Sequence, residues 1–197
     1  MYSNPLAYLL TWTCHGTWLH GDERGSVDDN RNGYNTPTIR PSVRMLRDKK
    51  MALAQAPRTL TPAERTTVGA AIDAHCAIRR WTVLAKNPRS NHVHAVIAAP
   101  GIDPDKVLKE LKSWSTRFLR RTDPTFTKPW TSGGSTRYLF AQEDVDAAIH
   151  YVMAEQDRLE RFVLPSERKR VDRCMASSRS QPTFGRASRS CSRTRLL

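Results

Sequence analysis

Two helix starts set the frame of this chain, because each is written in a form that leaves little choice about where the helix begins. Thr61-Pro62-Ala63-Glu64 is a capping box with proline in the first helical turn, and Asp103-Pro104 repeats the device with an aspartate cap. The first helix is expected to run to about Arg80, with Val68, Ala71, Ile72, His75 and Cys76 along one side. The second should reach about Arg120 on an apolar stripe of Val107, Leu108, Leu111, Trp114, Phe118 and Leu119. Strand-like segments surround them. Ala7–Thr13 is rich in aromatic and β-branched residues, and Trp81–Ala85 and His92–Ala98 are joined by the turn Asn87-Pro88-Arg89-Ser90. Thr136–Phe140 follows Gly133-Gly134, and a last helix spans about Glu143 to Leu159.

The order is therefore β, loop, α, β, β, α, β, α. It predicts an α+β fold: a ferredoxin-like (RRM-like) antiparallel sheet with helices on one face, plus one further helix at the C-terminal end. A polar stretch over residues 15–45 carries Gly16, Gly21, Gly25, Gly33, Pro37 and Pro41, and is expected to be a long loop. Residues 1–164 read as one domain. Residues 165–197 differ in kind: they are rich in Ser and Arg, with nine Lys or Arg against Glu167 and Asp172. They are expected to be a disordered basic tail, serving either as a DNA-binding arm or only as a solubilising extension.

The whole chain carries a net charge of +13 and a pI near 10.2. With no apolar run near the ~20 residues that cross a bilayer, that charge points to nucleic acid before membrane. Met1–Leu10 is too short, and lacks the basic start, for a secretory signal, so a soluble cytoplasmic protein is expected. Cys14, Cys76, Cys174 and Cys191 are far apart and form no C-x-x-C pair, which argues against a zinc ribbon or finger.

The string most informative about chemistry is Asn91-His92-Val93-His94-Ala95-Val96-Ile97. Alternate side chains of a strand share a face, so His92 and His94 point the same way, about 7 Å apart along the strand. Such a pair either binds one divalent ion or is simply two satisfied surface imidazoles. The last helix offers Tyr151 and, one turn on, Glu155, with Gln156 about 100° further round. If that face packs over the His-x-His strand, Glu155 completes a His, His, carboxylate site, and Gln156 replaces it if the helix is rotated. Mixed nitrogen and oxygen donors suit Mg²⁺ or Mn²⁺. Tyr151 stands off the apolar side made by Val145, Ile149 and Val152, and spacing alone leaves it either a core ring or a functional phenol. Asn91 is placed to orient a ligand or merely to end the turn. His15 and His20 lie in the long loop, and His150 points about 100° from Tyr151.

The His-hydrophobic-His string, with a helical tyrosine and a nearby Glu or Gln, resembles the single-tyrosine HUH transposases. These are the small insertion-sequence transposases and their relatives associated with repetitive extragenic palindromes. The resemblance covers about Tyr8 to Leu159. It is carried also by Trp130-Thr-Ser-Gly-Gly-Ser-Thr-Arg-Tyr-Leu-Phe and by Ile149-His-Tyr-Val-Met-Ala-Glu-Gln156. It implies that residues 1–164 form a catalytic domain. Tyr151 would attack DNA to give a 5′-phosphotyrosine, with Mg²⁺ or Mn²⁺ on His92, His94 and Glu155. Single-stranded, hairpin-forming DNA is the implied substrate, and a homodimer is plausible for such a protein. Several members carry glutamine where Glu155 stands here, which leaves Gln156 as the alternative ligand. Lys112, Arg117, Arg120 and Arg121 are expected to meet phosphates, and Trp130 to stack on unpaired bases; Trp114 sits in the apolar stripe and is expected in the core. Competing readings are a non-catalytic or degenerate DNA- or RNA-binding module of the same fold, and a metal-dependent hydrolase in which Tyr151 is structural.

Overall fold

The computed structural model describes residues 4–26 and 39–155. Its elements are β1 (Ala7–Thr13), α1 (Val43–Met51), α2 (Pro62–Arg79), β2 (Thr82–Pro88), β3 (His92–Ala98), α3 (Pro104–Thr122), β4 (Ser135–Leu139) and α4 (Gln142–His150). A π-helical turn, Tyr151–Glu155, continues from α4. The four strands form one antiparallel sheet in the order β2-β3-β1-β4, so the first strand to be made sits inside the sheet, between β3 and β4. This is the α+β, ferredoxin-like arrangement.

Both helix starts are built as their sequences dictate. Thr61 Oγ1 accepts from Glu64 N while the Glu64 carboxylate accepts from Thr61 N, and Asp103 caps α3 by accepting from Asp105 N. Helix α2 ends at Arg80, which closes it in the left-handed conformation (φ 58°). Helix α1 was not foreseen. Ser42 caps it through Met45 N, yet it buries none of its residues, so there was no apolar stripe to reveal it. The expected loop over residues 15–45 is thereby shortened at its end, and Ser26 pairs with Ile39 across residues 27–38. Strand β2 also runs further than expected, to Pro88, at the expense of the turn. The tail at 165–197 lies outside the described residues.

The sheet is covered on both faces. Helices α2 and α3 pack on one face, where Tyr8, Leu10 and Trp12 of β1 and Val93, Ala95 and Ile97 of β3 meet Val68, Ile72, Cys76, Val107, Leu111 and Leu119. On the other face, Ala7, Leu9, Ala85, Val96 and Leu139 meet Val145, Ala148 and Val152 of α4 and the π-turn. This second layer covers only the half of the face that is apolar. Beyond it the same face turns polar, and that change positions the candidate site. No helix among the described residues is long and apolar enough to cross a membrane.

Candidate active site

Register determines which polar side chains meet. Asn87 of β2 pairs with His94 of β3, His94 with Thr11 of β1, and Thr11 with Ser135 of β4. Directly paired residues share a face, so these four form one row across the sheet. His92 and Thr13 are paired one step along, and Arg137, opposite Leu9, flanks the row on the other side.

The two histidines stand together, with ring centroids 4.7 Å apart. Each has its Nδ1 engaged: His92 with Asn91 Oδ1 at 2.7 Å, His94 with Thr11 Oγ1 at 2.7 Å. An amide oxygen only accepts, so His92 Nδ1 carries the proton and Nε2 the lone pair. Thr11 can hold His94 in the same tautomer by accepting from Nδ1. Burial pushes the His94 imidazole down to about 3, and the charge of Arg89, joined by that of His92 whenever that ring is protonated, pushes in the same direction. His94 is thus neutral, the form in which an imidazole binds metal. A hydrogen bond that fixes the other ring nitrogen in this way is a regular feature of metal-ligating histidines.

Tyr151 comes to the same place from the opposite layer. Its ring stands 5.4 Å from that of His94, edge to face at 76°. It is half-buried and packs at the border of the apolar half of the face. Burial raises its phenol above the ordinary value, and the charge of Arg137 acts against that rise. The backbone here is not α-helical: it leaves α4 at His150 and continues with i→i+5 bonding. The Asn87 side-chain amide donates to Val152 O at 3.0 Å, tying this turn to the edge strand.

The structure therefore brings together His92, His94 and Tyr151. The side chain of Glu155, and Gln156, lie outside the described residues. Among the described residues no cluster of three or more His, Cys, Asp or Glu side chains is placed to hold an ion. His20 bonds Ser26 within its own loop, and His15 is held through its backbone by Pro129 and Arg58.

The residues expected to contact DNA divide into two kinds. Trp130 is a correction. It is 5% exposed, packs edge-on against Trp12 at 6.1 Å, and donates through Nε1 to Lys112 O and Thr116 Oγ1, so no ring face is open to a base. Lys112 donates to the carbonyls of Thr131 and Gly133, at 2.7 and 2.5 Å, and burial pulls its ammonium down to about 8. Arg120 donates to the carbonyls of Phe126 and Thr127. Both pin the loop between α3 and β4, so phosphate contact would compete with these bonds. Arg117 and Arg121 are exposed, their guanidinium groups lying over the rings of Trp114 (5.3 Å) and Phe118 (4.7 Å). Trp114 is only partly buried, packed between α2 and α3 against His75.

Sequence reading missed Thr11, Asn87, Ser135 and Arg137. Each was visible as a strand or turn residue, but their meeting depends on cross-strand register, which no local pattern states.

Three comparisons place the chain among known proteins. No curated protein matches it. The similar solved structures include two transposases. One is a provisionally assigned transposase from Deinococcus radiodurans R1, at 12% identity over 89% of this chain and 92% of that one, with a TM-score of 0.41. The other is a REP-associated tyrosine transposase bound to a REP hairpin, at 11% identity over 100% of this chain and 96% of that one, with a TM-score of 0.46. Residues 57–143, which include both histidines and stop short of Tyr151, match the family described as "Transposase IS200 like". Over that segment, somewhat less than half of its length, the chain is similar to the IS200-like transposases.

Proposed function

We propose that this protein is a divalent-metal-dependent DNA strand transferase in which Tyr151 is the nucleophile and His92 and His94 hold the ion. One observation carries the reading. A phenol from the layer beyond α4 and two imidazoles from β3 converge on the single polar end of an otherwise apolar sheet face.

The donor set fits a metal. Each imidazole is bonded through Nδ1, and in the Nδ1-protonated tautomer the metal-binding lone pair is on Nε2. We assign the third ligand to Glu155 or Gln156. In an α-helix the residue one turn beyond Tyr151 is four positions on, but i→i+5 bonding widens the turn and makes the fifth position an equal candidate. When bound, Mg²⁺ or Mn²⁺ would polarise and orient the scissile phosphate as a Lewis acid.

The chain's own residues supply the rest. Tyr151 Oη would attack the phosphorus, forming an O–P bond as the P–O3′ bond breaks. The phenol loses its proton, and the departing 3′ oxygen takes one up as a hydroxyl. The phosphate then stays on Tyr151 as a 5′-phosphotyrosine, and attack by a 3′ hydroxyl reverses the step and reseals a strand without ATP. Because burial holds the phenol protonated at neutral pH, the attack needs positive charge nearby, and Arg137 is a charge that already acts on that hydroxyl. Single-stranded DNA with a hairpin is the proposed substrate. Its phosphates would meet the exposed Arg117 and Arg121, with salt-sensitive affinity.

The test is to incubate the protein with labelled single-stranded hairpin DNA and Mn²⁺, then resolve the products on a denaturing gel. A protein–DNA adduct that is absent in Tyr151→Phe supports the reading. Metal-dependent cutting with no adduct would identify a hydrolase, and binding with no cutting would identify a DNA-binding module.

A further inference from the structure

The edge strand β2 contains one irregularity, and it has a consequence for the nucleophile. Val83 pairs with Ile97, but Ala85, not Leu84, pairs with Val96, so Leu84 is an extra residue in a β-bulge. A one-residue shift exchanges the two faces of a strand for every residue beyond it. Without the bulge, the alternation that puts Val83 on the α2–α3 face would put Asn87 there too. With it, Asn87 lies opposite His94, on the face that carries the histidines and Tyr151. From there its amide donates to Val152 O, 3.0 Å away, in the turn that holds Tyr151. Bulges next to active sites commonly re-aim a side chain in this way.

We propose that Asn87 is a positioning residue for the nucleophile: through its bond to Val152 O it fixes the π-turn over the histidine strand and so sets the distance from the Tyr151 hydroxyl to the phosphate. This rests on the reading of Tyr151 as the nucleophile. The bond is well suited to the task. It joins the backbone of the residue next to Tyr151 to the strand residue paired with His94, so one hydrogen bond couples the phenol to the proposed metal ligand without touching either ring. A strand edge is a rigid support, and an error of about 1 Å in placing a reacting group can lower a rate by about 100-fold.

The experiment compares Asn87→Asp and Asn87→Ala with wild type in two measurements. Asp keeps the shape, removes the donor and adds a charge, whereas Ala removes the donor without one, so the loss common to both variants reads the hydrogen bond. The first measurement is the single-turnover rate of Tyr151–DNA adduct formation with Mn²⁺ at saturating DNA. It should fall by roughly 10- to 100-fold, with the DNA dissociation constant within about twofold of wild type. The second is hydrogen exchange of the amides of residues 151–155, which should quicken in both variants while exchange in β1 and β3 stays unchanged. A purely architectural role would instead loosen the sheet and lower affinity along with the rate. Wild-type adduct rates in Asn87→Asp would overturn the proposal, and so would unchanged exchange at 151–155. If wild type itself forms no adduct, the reading of Tyr151 as nucleophile fails, and with it the catalytic part of this proposal; the exchange data then report only whether Asn87 holds the turn.

Discussion

The ring of Tyr151 meets that of His94 edge to face, 5.4 Å between centroids, and His94 is held from the other side by Thr11 Oγ1 at 2.7 Å from Nδ1. A phenol, an imidazole and a hydroxyl from three elements thus make one continuous contact chain across the sheet. Tyr151→Phe keeps the ring in this chain and removes only the oxygen. The variant should fold with an unchanged melting temperature and bind hairpin DNA as wild type does. Adduct formation should fall by on the order of 10³-fold or more, as removal of a nucleophile does. Calorimetry with the adduct gel checks both halves, and a variant that cuts at the wild-type rate would leave the phenol structural.

Thr11 gives a test of metal binding that spares the proposed ligands themselves. Thr11→Val matches the shape of threonine but cannot bond to His94 Nδ1, so it should weaken Mn²⁺ binding by about 10- to 100-fold, measured by titration calorimetry. Asn91→Ala should act similarly through His92, whose Nδ1 bonds to Asn91 Oδ1. Equal Mn²⁺ affinity in Thr11→Val and wild type would mean that His94 does not carry the ion.

The same histidine sets a pH dependence of stability. In the metal-free protein, burial lowers His94 from the ordinary imidazole value of 6.5 to about 3. Between those values the unfolded chain holds more protons at this site than the folded one, so stability falls as the pH is lowered. The loss begins near 6.5 and is complete once the pH drops below about 3. In His94→Gln this contribution vanishes, and chelator-treated samples should show a shallower fall of melting temperature from pH 6.5 downward. A slope equal to that of wild type would show that His94 is not buried in its neutral form.

Much of this was legible in the chain because the signals were local. Capping at Thr61 and Asp103 involves atoms within a few residues, and alternation along β3 puts His92 and His94 on one side whatever the tertiary structure. What was not legible depends on neighbours distant in sequence. The π-turn replaces part of an expected α-helix, although residues 142–155 contain neither proline nor glycine to announce it. Asn87 looked like a turn residue because Asn-Pro usually is one, whereas pairing with β3 carries the strand through it. Trp130 looked like a stacking platform because its partners Trp12 and Thr116 come from β1 and α3.

The basic residues of α3 should separate by function. Lys112→Met and Arg120→Ala remove donors from loop carbonyls and should lower the melting temperature, since a lost hydrogen bond to a charged group costs about 1.5–3 kcal/mol. Arg117→Ala and Arg121→Ala remove exposed guanidinium groups that lie over Trp114 and Phe118. They should change stability little, weaken DNA binding, and each lower the salt slope of the binding constant by about one. Thermal melts and binding isotherms at several salt concentrations distinguish the pairs. The assignment fails if Lys112→Met melts as wild type and loses only DNA affinity.

The loop that Lys112 pins enters β4 through two adjacent glycines whose environments differ. Gly133 has φ 72° with nothing within 4 Å of where a Cβ would stand. Gly134 has φ 158°, and a Cβ there would come within 2.7 Å of both Thr11 O and Leu108 Cδ2. Gly133→Ala should therefore cost only the backbone penalty of the left-handed region, about 1–2 kcal/mol. Gly134→Ala must also displace β1 backbone at Thr11, the residue that bonds to His94 Nδ1. We expect Gly133→Ala to keep Mn²⁺ affinity and adduct formation near wild type, with a modest drop in melting temperature. Gly134→Ala should melt lower still and lose Mn²⁺ affinity, because the carbonyl it pushes belongs to the strand that fixes the His94 tautomer. Melting and Mn²⁺ titration of the two variants side by side check the order, and equal behaviour would mean that β1 yields at Thr11 without disturbing the histidine pair.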